Sequence, residues 1–247
     1  MKFLKKLLSY PLTIIFYFFY GVILLIFQPI QWLSLKLGGY EAHKRSVDYL
    51  SFFLVKSLLL LGTRVKYTNN QNIPENTPLI VVSNHQSMHD ISGLGWYLRK
   101  YHPKFISKIE LGKGIPSISF NLKHGGSCLI ERKNPKQSIP AIMNFAKYIE
   151  KNKRSAIIFS EGTRSRTGKP KQFREGGLKM MVKYAPSSYV VPVTINNSWK
   201  IEQFGSFPLD IFNTVTFEVH EPIKSDSMPF EELFKKTEKL VKDSIIV

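Results

Sequence analysis

The chain has 247 residues, of which 43% are hydrophobic and 21% are charged. A chain of this length and composition can bury one sizeable core, and no change in composition marks a second domain of ordinary size. The single cysteine, Cys128, excludes an internal disulfide framework. The formal net charge of +17 favours polyanionic partners, namely nucleic acid, an anionic membrane surface or phosphorylated small molecules, and composition does not choose among them.

The N-terminal quarter of the chain is an apolar appendage. Residues 7–35 contain no charged side chain. Pro11 and Pro29 bracket most of this run, so a complete crossing of a bilayer, which needs about 20 apolar residues, is expected to be marginal. A second apolar segment, residues 49–61, is too short to cross. Together the two segments predict two helices that are joined at the Gly-Gly pair of residues 38–39.

These two helices are expected to lie in one leaflet of a membrane, with their aromatic rings at the headgroups and basic side chains on anionic lipid. The basic residues that flank them are Lys2, Lys5, Lys6, Lys36, Lys44 and Arg45. A cleaved signal peptide has a similar pattern, but the run is too long and no small-x-small cleavage site follows it. Burial of both helices in the core of a soluble protein is the third alternative.

The rest of the chain alternates predicted strands with predicted helices. The strand candidates are residues 64–67, 79–82, 104–107, 127–130, 156–159, 189–195 and 215–219. The helix candidates are residues 91–101, a segment from Ser138 and Pro140 to Asn152, and a closing helix from about Pro229. This alternation predicts an α/β fold with a mixed, mainly parallel sheet that is flanked by helices.

The first candidate site follows directly after the apolar run 79–82 and reads Asn-His-Gln-Ser-Met-His-Asp over residues 84–90. The end of a buried strand is where sheet-based enzymes place reactive side chains. A tight turn between strand and helix would bring Asp90 onto His85, fix the tautomer of the imidazole and make it a general base. The simpler alternative, which this motif alone favours, is that His85 caps the helix and Asp90 is a first-turn acid.

The second candidate site follows the strand candidate 156–159 and reads Ser-Glu-Gly-Thr-Arg-Ser-Arg over residues 160–166. Gly162 would let the backbone approach an anion, and Arg164 would grip a phosphate through two parallel hydrogen bonds. Glu161 is expected to hold Arg164 in its rotamer or to touch a substrate hydroxyl. The alternative is a solvated basic loop without a ligand.

Two further basic residues, Lys108 and Arg132, stand at the ends of predicted strands. If the sheet is parallel, these strands open on one edge, which is where ligands of open α/β sheets bind. The two side chains would then converge there with His85 and Arg164. Taken singly, each of these residues is by default an ordinary exposed charge.

Four short segments of the chain resemble the sequence blocks of the membrane-associated glycerolipid acyltransferases, most closely those of the 1-acyl-sn-glycerol-3-phosphate acyltransferases. Residues 84–90 match the family's His-x4-Asp block, residues 126–132 look like its second block, residues 159–164 like its third, and Val-Pro-Val at residues 191–193 like its fourth. The four blocks stand in the family's order, and the resemblance covers residues 79–193.

The resemblance implies transfer of a fatty acyl group from acyl-CoA or acyl-acyl carrier protein to the free hydroxyl of 1-acyl-sn-glycerol-3-phosphate (lysophosphatidic acid), which gives phosphatidic acid. His85 would take the hydroxyl proton, and Asp90 would orient it and stabilise the imidazolium. The residues expected at the substrate phosphate are Arg164, Glu161, Gly162, Thr163, Arg132 and Lys108. No cofactor and no metal are expected, because the acyl donor is a co-substrate.

The resemblance also implies a domain organisation and a location. Residues 1–62 would form a membrane-associated helical hairpin, and residues 63–247 an acyltransferase catalytic domain on the cytoplasmic face of the inner (plasma) membrane. The expected partners are the lipid bilayer, a lysophospholipid acceptor and acyl-CoA or acyl carrier protein, and no nucleic acid is expected. A catalytic edge held against the bilayer avoids moving acyl chains into water, which costs about 0.8 kcal/mol per methylene group.

Three alternatives stay open at this point. A related acyltransferase would use another lysolipid or glycerol-3-phosphate as acceptor. His85, His89 and Asp90 also satisfy a metal-ligand spacing, which is typical of a metal-dependent hydrolase. A non-catalytic basic protein that binds anionic lipid or nucleic acid is the alternative from another class, although nucleic-acid binding leaves the uncharged N-terminal run without a purpose.

Overall fold

The computed structural model describes residues 2–246, and within them it contains eight strands and six α-helices. The strands are β1 (Arg64–Asn69), β2 (Leu79–Ser83), β3 (Pro103–Lys108), β4 (Cys128–Ile130), β5 (Ser155–Phe159), β6 (Tyr189–Asn196), β7 (Thr214–Val219) and β8 (Ile223–Lys224). The helices are α1 (Lys2–Ser57), α2 (Asp90–Tyr97), α3 (Ile118–His124), α4 (Pro135–Asn152), α5 (Glu175–Tyr184) and α6 (Phe230–Asp243).

The sheet is mixed and mainly parallel, which confirms the predicted fold class. Its order is β1-β7-β6-β2-β5-β3-β4, with β8 paired to β6. Strands β6, β2, β5, β3 and β4 run parallel, whereas β7 is antiparallel to β6 and carries β1 parallel to itself. Consequently the carboxyl ends of β2, β3, β4 and β5 lie at one edge of the sheet, which we call the carboxyl edge. The last residues of these strands are Ser83, Lys108, Ile130 and Phe159.

Helices cover both faces of this sheet. Because side chains alternate along a strand, β2 sends Leu79 and Val81 into one core and Ile80 and Val82 into the other. The first core also contains Phe16 of α1 and side chains of α2, whereas the second contains side chains of α4, α5 and α6. Burial on both faces explains why the central strand is an uninterrupted apolar run.

Helix α1 is a hairpin of two helices. It is helical throughout except at Gly39, where φ is 63° and ψ is −153°. This combination is essentially restricted to glycine, so the position of the bend depends on that residue. The two halves fold back on each other, since Leu24 and Phe27 pack against Leu50 and Leu54. The structure therefore confirms the predicted pair of helices that is joined at this point.

The two prolines of α1 do not limit the helix as predicted. Pro11 and Pro29 both lie inside it, and each removes one backbone hydrogen bond. On either side of Pro11, Lys5 binds Asp210 and Thr13 accepts the backbone N–H of Leu209, so both contact the segment that precedes β7. By length and composition, α1 is long and apolar enough to cross a membrane, and only 22% of its most apolar window is buried.

The helical segment ends where the sequence places a domain boundary. Gly62 follows the last helical turn with a φ of 64°, and β1 begins two residues later. The hairpin is nevertheless packed on the sheet, because Phe16 is fully buried in the core of the sheet. The division into residues 1–62 and residues 63–247 stays a prediction.

Helix α4 begins earlier than predicted. Asn134 is its N-cap and accepts a hydrogen bond from the backbone N–H of Gln137 at 3.3 Å, with Pro135 in the first turn. The prediction placed the start at Ser138 and Pro140, because proline is favoured in the first turn of a helix. Pro140 instead lies inside α4. Elements α3, α5 and β8 were not predicted at all.

Candidate active site

The loop between β2 and α2 carries His85 and is fixed by side chains on both sides of it. The carboxamide of Asn84 donates to the carbonyl of Ile195 and accepts from its N–H, both at 2.8 Å. Gln86 Oε1 accepts the backbone N–H of Ser198 at 3.1 Å. Both partners lie at the end of β6 or directly after it, so the neighbouring strand sets the position of the loop.

The carboxylate of Asp90 is hydrogen-bonded to the imidazole of His85, as the sequence predicts. Its Oδ2 is 2.9 Å from Nδ1 of His85, and the same oxygen accepts the backbone N–H groups of Gln86 at 2.7 Å and Ser87 at 2.9 Å. Since this oxygen is an acceptor, we assign the imidazole proton to Nδ1, which leaves Nε2 able to accept a proton. The alternative that His85 caps α2 is wrong, because the N-cap position belongs to His89.

A phenyl ring from β5, which pairs with β2 in the sheet, fixes the plane of the His85 imidazole. Phe159, the last residue of β5, stacks on His85 with centroids 3.9 Å apart and an interplanar angle of 16°. One edge of the imidazole is therefore bound to Asp90, and one face is covered by Phe159. The side chain of His85 stays 14% exposed, so the ring is held in place and still accessible.

The loop that carries Arg164 adjoins the His85 loop. The N–H of Ser165 donates to the carbonyl of His85 at 2.7 Å, so both loops lie on the carboxyl edge of the sheet. Nη1 of Arg164 lies 3.3 Å from both carboxylate oxygens of Glu202. The prediction that Glu161 holds Arg164 in its rotamer is therefore wrong. Burial raises the pKa of Glu202, and the positive charge of Arg164 opposes that shift.

Glu161 and Lys171 brace this loop from within. Glu161 is buried, and its Oε1 accepts the backbone N–H of Lys171 at 3.2 Å. Nζ of Lys171 donates to Thr163 Oγ1 at 3.0 Å and to the carbonyl of Arg164 at 2.7 Å. Burial raises the pKa of Glu161, although the hydrogen bond from Lys171 opposes the shift. Gly162 has a φ of 70°, which favours glycine at this turn.

The two remaining predicted cations lie on the same edge in different environments. The guanidinium of Arg132 donates to the carbonyl of Gly162, which brings it onto the loop of Arg164. Lys108 is the last residue of β3 and is exposed. The structure therefore places Arg132 beside the predicted phosphate loop, and Lys108 at the end of the neighbouring strand.

His89 belongs to the core rather than to the accessible site. Its ring stands edge-on to Phe16 at 5.7 Å and to Tyr20 at 6.0 Å, both from α1. Since His89 faces α1 while His85 binds Asp90, the spacing that suggested metal ligands does not become a cluster. Among residues 2–246, no group of three His, Cys, Asp or Glu side chains is placed to hold a metal ion.

The burial of His89 predicts a loss of stability in acid. Burial lowers its pKa to about 4 from 6.5, so the folded chain keeps this ring neutral while the unfolded chain protonates it. Above pH 6.5, His89 therefore does not lower the free energy of unfolding. As the pH falls from 6.5 towards 4, the free energy of unfolding decreases by about 3 kcal/mol because of this residue.

Denaturant unfolding in detergent at a series of pH values measures this loss. A His89→Phe variant should lose less stability than the wild type over the same pH interval, because phenylalanine does not titrate. His124→Ala, which changes an exposed histidine, should follow the wild-type curve. Identical curves for the wild type and His89→Phe would contradict the assignment.

Sequence reasoning missed the contacts that Glu202 and Phe159 make with the site residues. Glu202 is 38 positions from its partner Arg164 and lies in the short helical turn Ser198–Glu202. The sequence predicts Phe159 as the end of a strand and as the first residue of the third block, but not its stacking on His85. No sequence signal marks Glu202, because its contact with Arg164 depends on the position at which the chain leaves β6.

Comparisons with known proteins identify relatives of this chain. A family model described as Acyltransferase matches residues 64–196, which is more than half of the chain. A 1-acyl-sn-glycerol-3-phosphate acyltransferase of Helicobacter pylori (strain J99) is 33% identical over 168 residues, which cover 65% of this chain and 67% of that protein. A chloroplast 1-acyl-sn-glycerol-3-phosphate acyltransferase of Brassica napus is 32% identical over 154 residues, 62% of this chain and 43% of its own length.

A solved structure has the same fold over nearly the whole chain. The crystal structure of the 1-acyl-sn-glycerophosphate (LPA) acyltransferase PlsC from Thermotoga maritima superposes with a TM-score of 0.80 at 26% identity. The match covers 99% of this chain and 96% of that one. In contrast, the chain spans less than half the length of the chloroplast relatives that it matches.

Proposed function

The chain belongs to the acyltransferase family, among the 1-acyl-sn-glycerol-3-phosphate acyltransferases, and from this premise we propose that it acylates the free hydroxyl of lysophosphatidic acid to give phosphatidic acid. One observation carries the proposal. A histidine that is paired with a buried aspartate shares the carboxyl edge of the sheet with an accessible arginine, Arg164, whose side chain is 37% exposed. Such an edge can activate a hydroxyl and hold a phosphate on the same molecule.

The reaction proceeds by direct attack on the acyl thioester. Nε2 of His85 takes the proton of the acceptor hydroxyl while the oxygen attacks the thioester carbonyl, and Asp90 stabilises the imidazolium. When the tetrahedral intermediate collapses, the C–S bond breaks and the imidazolium returns the proton to the leaving thiolate. Cys128 takes no part as a nucleophile, because burial raises the pKa of its thiol to about 12.

Arg164 binds the phosphate of the acceptor. A phosphate offers more negative charge than a carboxylate and accepts two parallel hydrogen bonds from a guanidinium. The contacts of Arg164 with Glu202, at 3.3 Å, are long enough for a phosphate to compete with them. Arg132 adds positive charge through the same loop, and Lys108 adds it at the end of β3.

The donor is acyl-CoA or acyl-acyl carrier protein, so no cofactor is needed beyond this co-substrate. Next to the His85 loop, a cavity of about 180 Å³ opens between α1, α2 and β3. Tyr20, Met88, Ile91 and Leu111 line it. Because the cavity is mostly apolar and begins beside the reacting loop, it suits the acyl chain of the donor.

The exposed face of α1 holds the reacting edge against a membrane. Phe16 and Leu24 lie on the buried face of this helix, whereas Ile14, Phe18 and Leu25 are each at least 60% exposed. An exposed apolar stripe of this length is typical of a helix that lies in a membrane interface. Since both acyl donors are cytoplasmic molecules, we place the catalytic part on the cytoplasmic face of the inner (plasma) membrane.

Charged substitutions on this stripe should release the protein from lipid. The double variant Phe18→Glu/Leu25→Glu is expected to bind vesicles of phosphatidylethanolamine and phosphatidylglycerol at least about 100-fold more weakly, because burying each large apolar side chain contributes about 1.5–3 kcal/mol to binding. Flotation with the vesicles measures the bound fraction. Ile139→Glu, an exposed apolar position on α4, is the matched control and should bind like the wild type. Undiminished binding of the double variant would contradict the placement of α1.

Product analysis tests the proposed function directly. The purified protein is incubated with labelled acyl-CoA or acyl-acyl carrier protein and with a panel of acceptors, which includes lysophosphatidic acid, other lysophospholipids and glycerol-3-phosphate. The expected product is phosphatidic acid from lysophosphatidic acid. Faster acylation of glycerol-3-phosphate or of a lysolipid without an exposed phosphate would assign a different acceptor, and no ester product from any pair would overturn the proposal.

A further inference from the structure

The loop that precedes β7, residues 203–213, exposes two phenylalanine rings and no charge, and we call it the aromatic loop. Phe207 is 50% exposed and Phe212 is 64% exposed, and among residues 2–246 these are the exposed phenylalanines outside α1. Asp210 is the one charged residue of the loop, and it is fully buried. Two large rings on an uncharged surface are typical of a site that contacts something other than water.

The position of the aromatic loop does not depend on these two rings. Leu209 and Ile211 are buried in the core of the sheet, together with Phe16 of α1. Oδ2 of Asp210 accepts a hydrogen bond from Nζ of Lys5, also of α1, at 2.8 Å. The loop is therefore anchored by the neighbours of the exposed phenylalanines, and the rings themselves remain available for a contact outside the chain.

The backbone at Phe212 does not favour phenylalanine. Its φ is 59°, in the left-handed region that bulky residues rarely adopt. Its N–H donates to the carbonyl of Leu61 at 2.9 Å, which fixes this conformation at the end of the hairpin. Glycine or asparagine would fit such a turn with less strain. A large exposed ring at a strained position indicates a function for the ring rather than for the turn.

The aromatic loop continues the exposed apolar stripe of α1. The rings of Tyr10 and Phe207 stand edge-on with centroids 5.6 Å apart. The hydroxyl of Tyr17 donates to the carbonyl of Ser206 at 2.6 Å. The two tyrosines lie one helical turn before and one turn after Ile14, which belongs to the stripe. The helix and the loop therefore form one continuous exposed surface.

Lysine side chains border this surface. Nζ of Lys6 lies 5.6 Å from the centroid of the Phe204 ring, and the side chain of Lys5 is partly exposed beside the loop. Lysines next to aromatic rings are typical of protein surfaces that meet anionic headgroups, because the rings enter the interface and the ammonium groups stay at the phosphates. The charges around the loop therefore fit an anionic lipid surface.

We propose that the aromatic loop is a second membrane-docking element, which inserts the rings of Phe207 and Phe212 into the lipid interface beside α1. The loop begins directly after Glu202, the partner of Arg164, so its insertion holds the phosphate-binding arginine at the level of the headgroups. The inference rests on the proposed function, since the acceptor of that reaction is itself a membrane lipid.

Fluorescent labels at the two rings test the insertion. The one cysteine of the chain, Cys128, is buried, so an environment-sensitive nitrobenzoxadiazole group can be attached selectively to the full chain carrying Phe207→Cys or Phe212→Cys. The labelled proteins are reconstituted in vesicles of phosphatidylethanolamine and phosphatidylglycerol. Because interfacial side chains reach about 5–10 Å into the boundary between headgroups and acyl chains, lipid with a nitroxide high on its acyl chain should quench both labels at least about two-fold.

Two further labelled positions separate the outcomes. Phe18→Cys on the stripe of α1 is the positive reference, and Ile139→Cys, an exposed position on α4, should not be quenched. Quenching at position 18 but not at positions 207 and 212 would overturn this inference alone and would favour a protein partner for the loop. Quenching at none of the three would contradict the membrane placement of α1 as well. The proposed function fails separately, by the absence of an ester product.

Charged substitutions provide an independent test. The double variant Phe207→Glu/Phe212→Glu should bind the same vesicles at least about ten-fold more weakly, because two partly exposed rings no longer leave water on binding. Its turnover of a short-chain, water-soluble lysophosphatidic acid should equal that of the wild type, which shows that the fold and the active site are intact. Ile139→Glu is the control and should bind vesicles normally. Undiminished binding of the double variant would contradict the proposal.

Discussion

Replacing His85 by alanine is expected to lower kcat for acyl transfer by about 1,000-fold, because general-base catalysis contributes roughly 10²–10⁴-fold in enzymes. The fold should persist, since Asp90 keeps its two backbone donors, the N–H groups of Gln86 and Ser87. Initial rates with saturating donor and acceptor measure the loss, and the far-ultraviolet circular dichroism spectrum of the variant monitors its fold. The effect should fall on kcat, because the imidazole acts in the reacting step.

Two histidine variants serve as controls for this result. His124→Ala changes an exposed residue on α3 and should keep near-normal kcat. His89→Ala removes a ring from the core, so it should lower the free energy of unfolding and affect kcat less than His85→Ala does. An active His85→Ala enzyme together with an inactive, folded His89→Ala enzyme would show that the base is misassigned.

Replacing Arg164 by alanine is expected to raise KM for lysophosphatidic acid by about 10–100-fold. Hydrogen bonds to charged groups contribute about 1.5–3 kcal/mol, and 1.36 kcal/mol corresponds to a factor of ten. The change in kcat should be smaller, because the role proposed for the guanidinium is to hold the phosphate and not to take part in the reacting step. Steady-state kinetics with varied acceptor at saturating donor separates the two parameters.

The control for Arg164 removes the same charge two residues away. Arg166 is exposed, so Arg166→Ala changes the net charge equally and should alter the acceptor KM much less. An acceptor that lacks the phosphate, such as a monoacylglycerol, should lose no affinity in the Arg164→Ala enzyme. An unchanged acceptor KM in Arg164→Ala, or an equal change in both variants, would contradict the phosphate assignment.

Much of the fold is predictable, because a strand that is buried on both faces of the sheet appears in the sequence as a run of apolar residues. The buried strands β2 and β5 appear in the sequence as short apolar runs, and their bounds agree with the prediction to within one residue. Helices α3 and α5 were missed for different reasons. The first has only seven residues, and the second begins with Glu175 and two glycines, which are typical of a loop. Their helical state depends on packing against neighbouring helices, α1 for α3 and α4 for α5, rather than on local preference.

In the candidate site, too, contacts between residues close in sequence were predictable, whereas contacts between distant residues were not. The contact between His85 and Asp90 was predictable, because five residues and one turn determine it. The pairing of Arg164 with Glu202 was not, because the two residues meet only after β6 has been added beside β2. The role of Phe159 likewise depends on the neighbouring strand, which brings its ring onto the imidazole.

A structure with a bound acceptor tests the central claim most directly. The wild-type protein is crystallised with lysophosphatidic acid and without an acyl donor, so that no reaction occurs. The acceptor hydroxyl should lie within about 2.6–3.2 Å of Nε2 of His85, with the phosphate on the guanidinium of Arg164. A phosphate bound elsewhere, with the hydroxyl out of reach of His85, would contradict the account.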